Sequence, residues 1–174
     1  VGEVRDILHD IVQDDQRAGE VIRRLRLLLK KGEVSHMPLD LNEVVQEVMR
    51  LIRNDLLGRN ITIRTKFATG LPAVKGDRVQ LQQVLLNLIM NATDAMAACP
   101  TAERQLLVCT EAEGREGARV SVADSGTGMA PDIVNRLFHP FTTTKPSGLG
   151  LGLKVCHTIL AAHGGRIDGK NNPE

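Results

Sequence analysis

Aromatic residues are almost missing from this chain, which has no Trp, no Tyr and only three Phe. With 2% aromatic residues among 174, the core must be aliphatic, and few rings are present on which nucleic-acid bases could stack. The formal net charge is only +1, so the chain has no overall basic field for a polyanion. These two deficits argue against a nucleic-acid-binding protein.

Long apolar runs and closely spaced cysteines are also missing. No run approaches the roughly 20 apolar residues that a bilayer-spanning helix needs, and no signal peptide is recognisable. The three cysteines, Cys99, Cys109 and Cys156, form neither a CxxC pair nor a metal-ligand spacing. We therefore expect a cytoplasmic domain without membrane contact of its own, although the parent protein could be anchored elsewhere.

The N-terminal segment has the periodicity of one long helix. Apolar or small residues recur at spacings of three and four over residues 1–31, and Gly32 follows as a stop signal. The stretch "SHMP" then has the composition of a linker. We therefore expect a helical segment at 1–34, a linker at 35–39 and a second domain at 40–174.

The second domain mixes helices and strands without strict alternation. Helix start signals stand at Asp40, with Glu43 completing a capping box, and at Asp77, and these helices should reach about Leu57 and Ala98. Further elements are expected as a short helix after Pro131, a last helix over about 149–162, and strands over 61–67, 106–111, 118–124 and 166–168. This mixture predicts an α+β fold with a layer of helices on one face of a mixed sheet.

Three polar residues, Asn87, Asn91 and Asp94, interrupt the helix that follows Asp77. Their spacing of i, i+4 and i+7 places them within roughly 60° of one another, away from the apolar stripe. Asn is a mediocre helix former, so its presence in the middle of a helix calls for an explanation. The three residues form either an exposed surface or the polar wall of a pocket. In a pocket, an Asn carbonyl would be a neutral ligand for Mg²⁺, whose other ligands would be phosphates and water.

The stretch "DSGTGMA" ends a predicted strand with two glycines. Asp124 shares a strand face with Val120 and Val122, so its carboxylate should follow the valines inward, where it needs a donor. Two donors remain open: a local backbone N–H in an Asx turn, or the amine of a ligand. Gly126 and Gly128 carry no side chains, which would leave room for a flat ring.

A second cluster, "SGLGLGLKV", leads directly into a predicted helix. A glycine-rich turn at a helix N-terminus offers free N–H groups and the positive end of the helix dipole to an anion. The preceding stretch, "LFHPFTTTKPS", has the composition of a lid, and its Lys145 could reach a terminal phosphate or simply be solvated. One glycine loop would then admit a base and the other would hold phosphates.

Four motifs, in order, resemble the ATP-binding domain of sensor histidine kinases. "QVLLNLIMNATDAM" resembles the N box, "DSGTGM" the first glycine box, "LFHPFTTTK" the F box and "GLGLGL" the second glycine box, with "AAHGGRI" as the usual sequel. The stretch "QRAGEVIRRLRLLLKKGE" looks like the second helix of the dimerisation and phosphoacceptor hairpin. The nearest subgroup looks like the nitrogen-regulation and oxygen-sensing kinases.

The resemblance implies a two-layer α/β sandwich, the Bergerat-type fold shared with gyrase, Hsp90 and MutL ATPase domains, and it implies ATP and Mg²⁺ as cofactors. Asn91 resembles the Mg²⁺ ligand and Asp124 the acceptor of the adenine amine. Catalytic roles are expected for Asn87 and Lys145. Nucleotide contacts are expected from Asn87, Asn91, Asp94, Asp124, Gly126, Gly128, Thr144, Lys145, Gly148, Leu149, Gly150, Leu151 and Gly152, of which Gly148, Gly150 and Gly152 resemble the phosphate cradle.

The implied reaction moves the ATP γ-phosphoryl to a His and then to an Asp on a response-regulator receiver domain, within a homodimer joined through the helical hairpin. Two departures matter. Many relatives have a Lys three residues after the second Asn, where this chain has Asp94. The phosphoacceptor motif, a His followed by an acidic residue and later a Pro, is absent, and His9-Asp10 is only a partial echo.

We therefore expect the acceptor His to lie on a helix outside this chain, which should be unable to autophosphorylate by itself and should lack a terminal strand. The alternatives are an ATP-gated conformational ATPase of the gyrase or MutL type, a protein serine kinase, and a nucleotide-binding scaffold without catalysis. The N-terminal helix and "GLGLGL" argue against the conformational ATPase.

Overall fold

The computed structural model describes residues 36–143 and 150–172, so the helix expected over residues 1–31 lies outside the described residues. The described helices are α1 (Leu41–Gly58), α2 (Arg78–Ala95), α3 (Pro131–Arg136) and α4 (Gly152–Ala162), with a 3₁₀ turn at Thr101–Glu103. The strands are β1 (Met37–Leu39), β2 (Thr62–Lys66), β3 (Val74–Gly76), β4 (Gln105–Glu113) and β5 (Gly117–Asp124). In these ranges no helix is both long enough and apolar enough to cross a bilayer.

The two long helices begin at aspartates whose side chains cap them. Asp40 Oδ1 accepts a 2.7 Å hydrogen bond from the Asn42 N–H. Asp77 Oδ1 accepts from the N–H groups of Val79 at 2.9 Å and Gln80 at 3.1 Å. Each carboxylate satisfies N–H groups that the first turn leaves without an intrahelical partner, and it favours the positive end of the helix dipole. The predicted helix starts are confirmed.

The capping box predicted for Glu43 is wrong. Its Oε2 lies 3.2 Å from Nη2 of Arg78 on α2, while Glu47 Oε1 accepts a 2.6 Å hydrogen bond from Nη1 of the same guanidinium. These carboxylates raise the pKa of Arg78, chiefly through the hydrogen bond to Glu47. Glu43 therefore joins α1 to α2, because a charged donor is a stronger partner than a backbone N–H.

The main sheet has three strands in the order β2–β4–β5. β2 runs parallel to β4, with Thr62 opposite Gln105, and β4 runs antiparallel to β5, with Leu106 opposite Asp124. A parallel pair needs a crossover connection, and the one between β2 and β4 contains α2. The sheet is therefore mixed, as the sequence predicted.

The core lies between the long helices and one face of the main sheet. Its buried side chains come from α1, α2 and β4 and include Val44, Val48, Ile52, Leu85, Ile89, Leu106 and Val108. A smaller cluster joins α2 to α4 and consists of Val84, Val155, Cys156 and Ile159. α2 is thus buried on two sides, which fixes the direction of its remaining polar face.

The sequence carries no clear signal for the small antiparallel sheet of β1 and β3. Met37 pairs with Gly76 and Leu39 with Val74, so the segment 35–39, expected as a linker, contains a strand. Each of the two strands has three residues, which is too short for a period-two pattern to stand out.

His163 follows α4 and ties its end to the start of α2. The imidazole Nε2 accepts a 2.9 Å hydrogen bond from the Asp77 N–H, and Nδ1 donates to the Ile159 carbonyl oxygen at 2.7 Å. These two contacts correspond to the imidazole tautomer that carries a proton on Nδ1. A Cβ on Gly76 would lie 2.9 Å from His163 Cδ2, so glycine makes this contact possible.

Two helix boundaries differ from the prediction. α2 ends at Ala95 rather than about Ala98, and just beyond it Nη2 of Arg104 donates to the Ala97 carbonyl at 3.0 Å. The guanidinium satisfies a carbonyl that has no intrahelical partner beyond the end of α2. α4 begins at Gly152, later than expected, because Gly150 just before it has a left-handed backbone with φ +63°.

The strand predicted over 166–168 is wrong, since this segment is irregular in the described part of the chain. Side chains rather than a backbone ladder hold it there. Arg166 pairs with Glu113 of β4, and farther along Asn171 bonds the backbone of Met129. These side-chain contacts, and not hydrogen bonds to a neighbouring strand, determine the path of this segment.

Candidate functional site

The polar face of α2 carries Asn87, Asn91 and Asp94, all half-buried. Asp94 Oδ1 lies 3.6 Å from Nη1 of Arg59, which follows α1 and brings a positive charge to this face. Partial burial of all three side chains favours the wall of a pocket over a fully solvated surface.

The side-chain amide nitrogen of Asn87 is buried and has no hydrogen-bond partner among the described residues. Its neighbour is the start of α4, because a Cβ on Gly152 would lie 3.7 Å from Asn87 Oδ1. A buried donor without a partner costs about 1–3 kcal/mol, so such groups call for a water, an ion or a ligand. Asn87 is therefore a candidate ligand contact between α2 and the start of α4.

The chain before α4 folds tightly around Gly150. Gly150 has φ +63°, and a Cβ there would lie 2.6 Å from the carbonyl carbon of Phe141 and 2.7 Å from the nitrogen of Thr142. Both the left-handed backbone and the close approach require glycine. Thr142 Oγ1 is another buried polar atom without a partner in the described part of the chain. The second glycine loop thus lies beside unsatisfied polar groups.

The start of α4 is suited to an anion. Leu151 occupies the N-cap, and no side chain within 36–143 or 150–172 caps the helix. The first N–H groups of α4 therefore keep their hydrogen-bonding capacity, and the helix dipole adds a partial positive charge. Gly152 adds no side chain that would cover them.

The first glycine loop begins with Asp124 at the end of β5. Asp124 Oδ1 accepts a 2.8 Å hydrogen bond from the Gly126 N–H, which is the local Asx turn, one of the two donors that the sequence left open. Asp124 is half-buried. A carboxylate has a second oxygen with which it can accept from a ligand amine, so the turn and the ligand do not exclude each other.

The two glycines of this loop serve packing and backbone geometry. A Cβ on Gly126 would lie 2.7 Å from Ala95 Cβ at the end of α2, and the Thr127 N–H donates to the Ala95 carbonyl at 3.4 Å. Gly128 has φ +72°, a conformation that favours glycine. Gly126 therefore joins the loop to the helix that carries Asn91. The sequence suggested only that this glycine would leave room for a flat ring, so this packing role was missed.

Two asparagines that sequence reasoning missed also contact this loop. Asn171 makes two hydrogen bonds with the backbone of Met129, and Asn172 Nδ2 donates to the Asp124 carbonyl at 2.7 Å. The pair is visible as "GKNN", but no local pattern connects it to the loop. The structure thus places a third segment at the site.

Part of the predicted lid and phosphate cradle lies outside the described residues. This applies to Thr144, Lys145, Gly148 and Leu149. Their assigned roles stay predictions.

The sequence matches, over residues 76–174, a family described as histidine kinase-, DNA gyrase B- and HSP90-like ATPase. The chain belongs to this ATPase family. The match starts at Gly76, the last residue of β3, and includes both glycine loops.

Curated relatives of the chain are sensor kinases. It is 34% identical to the sensor histidine kinase ZraS of Escherichia coli K12 over 166 residues, and 35% identical to the sensor protein FixL of Bradyrhizobium diazoefficiens over 170 residues. These alignments cover 95% and 98% of this chain but 35% and 33% of the relatives. The chain therefore spans about a third of their length, and the resemblance to sensor histidine kinases is confirmed.

Solved histidine kinase structures share the fold. The catalytic domain of ThkA superposes with a TM-score of 0.68 at 30% identity, covering 82% of this chain and 90% of that one. Full-length ShkA in complex with AMPPNP gives a TM-score of 0.70 at 31% identity, covering 86% and 31%. The predicted α+β fold of this ATPase family is confirmed.

Proposed function

We propose that this chain binds ATP and forms the catalytic part of a sensor histidine kinase. The observation that carries the proposal is the buried amide of Asn87 beside the uncapped start of α4, because it leaves a donor and an anion site next to each other. Membership of the ATPase family supplies the chemical class of the ligand. Curated relatives that are sensor kinases favour this function over a conformational ATPase or an inactive scaffold.

The two glycine loops would hold opposite ends of the nucleotide. Asp124 would accept from the exocyclic amine of adenine with its second carboxylate oxygen. The N–H groups at Gly150, Leu151 and Gly152 would bind phosphate oxygens, together with the predicted contacts of the lid. Asn87 Nδ2 would donate to a phosphate oxygen or to water at the metal, which would satisfy its buried amide.

A Mg²⁺ ion at this site would take most of its ligands from the nucleotide. Among the described residues, no three His, Cys, Asp or Glu side chains form a metal-binding group. The carbonyl oxygen of Asn91 would be the protein ligand, with phosphates and water completing the shell. When bound, Mg²⁺ would supply positive charge that offsets the negative charge developing during transfer.

The reaction would be an in-line transfer to histidine. An imidazole nitrogen of an acceptor His, supplied by another helix, attacks the γ-phosphorus while the bond from this phosphorus to the bridging oxygen breaks. ADP leaves with that oxygen, and the imidazole proton passes to a neighbouring acidic group. Within this chain, Asn87 would position the phosphates, and Lys145 would neutralise the moving phosphoryl group.

A second transfer would carry the phosphoryl group from His to an Asp of a receiver domain. The histidine kinase ThkA has been crystallised in complex with the response regulator TrrA, and it superposes on this chain with a TM-score of 0.68 at 25% identity, covering 91% of this chain and 43% of that one. This supports a receiver domain as the partner. A homodimer formed through residues 1–34 and the preceding hairpin helix completes the proposal.

Replacing Asp124 by Asn tests nucleotide binding. Asp124→Asn keeps an acceptor for the Gly126 N–H but turns the other oxygen into a donor, which faces the adenine amine. Losing a charged hydrogen bond costs roughly 1.5–3 kcal/mol, so ATP affinity should fall more than tenfold. Isothermal titration calorimetry with ATP and with GTP measures the loss and its base specificity.

Asp132→Asn is the matched control, because Asp132 is exposed on α3. It removes the same charge and should leave ATP affinity unchanged. Equal ATP affinities for Asp124→Asn and the unsubstituted chain would reject the adenine assignment.

A further inference from the structure

The first glycine loop is held at both ends by two consecutive asparagines that follow α4. At the far end, Asn171 Oδ1 accepts from the Met129 N–H at 2.8 Å, and Asn171 Nδ2 donates to the Met129 carbonyl at 2.8 Å. At the near end, Asn172 Nδ2 donates to the Asp124 carbonyl at 2.7 Å. One short segment therefore contacts the residues on either side of the loop.

The two ends of the loop differ in how much else supports them. Near its start, the Asx turn of Asp124 and the packing of Gly126 on Ala95 fix the backbone. Met129 has no such support, because in the described part of the chain its backbone N–H and carbonyl bond only to Asn171. Asn171 therefore supplies both of the described hydrogen bonds of the Met129 backbone, at the far end of the loop.

Gly128 connects this contact to the shape of the loop. Its φ of +72° turns the chain so that the N–H and carbonyl of Met129 both face the Asn171 amide. A Cβ on Gly128 would lie 3.3 Å from Asn171 Oδ1, so the amide lies directly against the turn. The left-handed turn and the asparagine thus stabilise each other.

We propose that Asn171 is a positioning residue, which holds the first glycine loop in the conformation that binds the nucleotide. This inference rests on the proposed ATP site, since the loop begins with Asp124. Asn171 lies outside the four motifs, and it would preorganise one side of the base pocket. Ordering the loop before the ligand arrives lowers the entropy cost of binding.

The chemistry of the amide explains why asparagine suits this position. A primary amide offers one acceptor and two donors, so it can bond an N–H and a carbonyl of the same residue at once. An aspartate would keep the acceptor for the Met129 N–H and lose the donor to its carbonyl. An alanine would lose both contacts, so the two substitutions separate the two bonds.

The test combines ATP affinity with the exchange rate of one amide proton. Asn171→Ala should weaken ATP binding about tenfold, which corresponds to the loss of two exposed hydrogen bonds, as measured by calorimetry well below the unfolding temperature. Without nucleotide, hydrogen exchange at the Met129 amide should accelerate in Asn171→Ala and stay slow in Asn171→Asp. Asn54→Ala is the matched control, since Asn54 is exposed on α1 and should change neither readout.

The outcomes separate this inference from the function on which it rests. A chain that binds ATP with unchanged affinity after Asn171→Ala overturns the inference, even if its unfolding temperature falls, because the amide would then be merely structural. Unchanged exchange at Met129 in Asn171→Ala overturns it as well. If the unsubstituted chain does not bind ATP, the proposed function is rejected. The positioning role of Asn171 is then rejected as well, because it rests on that function.

Discussion

Asn87 and Asn91 are neutral amides one turn apart on α2, although asparagine is disfavoured inside helices. Each costs up to about 0.7 kcal/mol of helix stability relative to alanine. A carboxylate at either position would add negative charge beside a triphosphate, whereas an amide supplies an oxygen ligand or a donor without repulsion. The residue type therefore agrees with a ligand that brings its own charge.

Substituting Asn91 should affect metal-dependent binding selectively. We expect Asn91→Ala to weaken ATP binding about tenfold in excess Mg²⁺, because a metal ligand is lost, and to change metal-free binding much less. Parallel calorimetric titrations in excess Mg²⁺ and in excess chelator measure both affinities, with Asn54→Ala as the control. An equal loss under the two conditions would make Asn91 a structural residue.

At the scale of elements, α4 and the loop before it form one unit. The left-handed Gly150 lets the chain pass against Phe141 and Thr142 and enter α4, which no described side chain caps. The shape of the proposed anion site therefore depends on the backbone conformation of Gly150.

Gly150→Ala tests this dependence. A left-handed alanine costs about 1–2 kcal/mol, and the clash with the Phe141 and Thr142 backbone adds to that, so ATP affinity should fall at least tenfold. Calorimetry and thermal unfolding measure the two effects. Gly58→Ala is the control, because a Cβ at Gly58 meets nothing within 4 Å, and there the helix should become slightly more stable. Full ATP affinity in Gly150→Ala would contradict the cradle.

The hairpin of β4 and β5 carries the clearest perturbed carboxylate among the described residues. The hydrogen bond from Arg119, at 2.6 Å, lowers the pKa of Glu113 below its ordinary value, and the charge of Arg166 acts in the same direction. A lowered folded-state pKa means that the ionised carboxylate stabilises the folded chain. Because these side chains are exposed, salt should weaken the effect.

Acid titration should reveal this contribution. The stabilisation of the folded chain by ionised Glu113 is fully present above the pKa of Glu113 in the unfolded chain. This stabilisation is lost as pH falls through the lowered pKa of Glu113 in the folded chain. Glu113→Gln should therefore be less stable than the unsubstituted chain at neutral pH, and the difference should shrink in acid. Urea unfolding across this pH range measures it, with Glu116→Gln in the exposed turn as the control. A difference independent of pH would rule out the ion pair as its cause.

Elements with strong local signals were predictable from the sequence. α1 and α2 begin at aspartate caps, and the alternating apolar residues of β4 and β5 appear as strands. β1 and β3 were not predictable, because three residues cannot show a period. The segment 166–168 was predicted wrongly, because its apolar Ile167 resembles a strand, while side-chain contacts decide its path.

The residues of the candidate site also fall into a group that was predictable from the sequence and a group that was not. Asn87, Asp124 and Gly150 were predictable because residue type, helical spacing or position beside a strand indicates a ligand. Asn171 was not, because its bond to Met129 joins residues 42 positions apart, and no local pattern encodes the path of the chain between them.

At the scale of the whole molecule, this chain matches about a third of each curated sensor kinase compared with it, and its sequence lacks the expected phosphoacceptor motif. His9 precedes Asp10, but no Pro follows at the family position. In the proposed kinase, this chain would therefore bind ATP, and another helix would carry the acceptor imidazole.

We expect the chain to bind ATP without forming phosphohistidine, because its sequence contains no complete phosphoacceptor motif. Incubation with γ-labelled ATP should yield no acid-labile label, whereas a longer chain that includes the preceding helix should be labelled. Label on the shorter chain that disappears in His9→Gln would make His9 the acceptor. Absence of label from both chains would favour the conformational ATPase or the scaffold.

The bond between His163 and Asp77 has a consequence for folding. It joins positions 86 residues apart, and the bond between Met129 and Asn171 also closes a long loop, so these contacts form only after much of the chain is ordered. A nucleotide that needs this arrangement binds the native chain and not the unfolded one. ATP at a hundred times its dissociation constant would then add about 2.7 kcal/mol to the free energy of unfolding, because it would bind only the native chain.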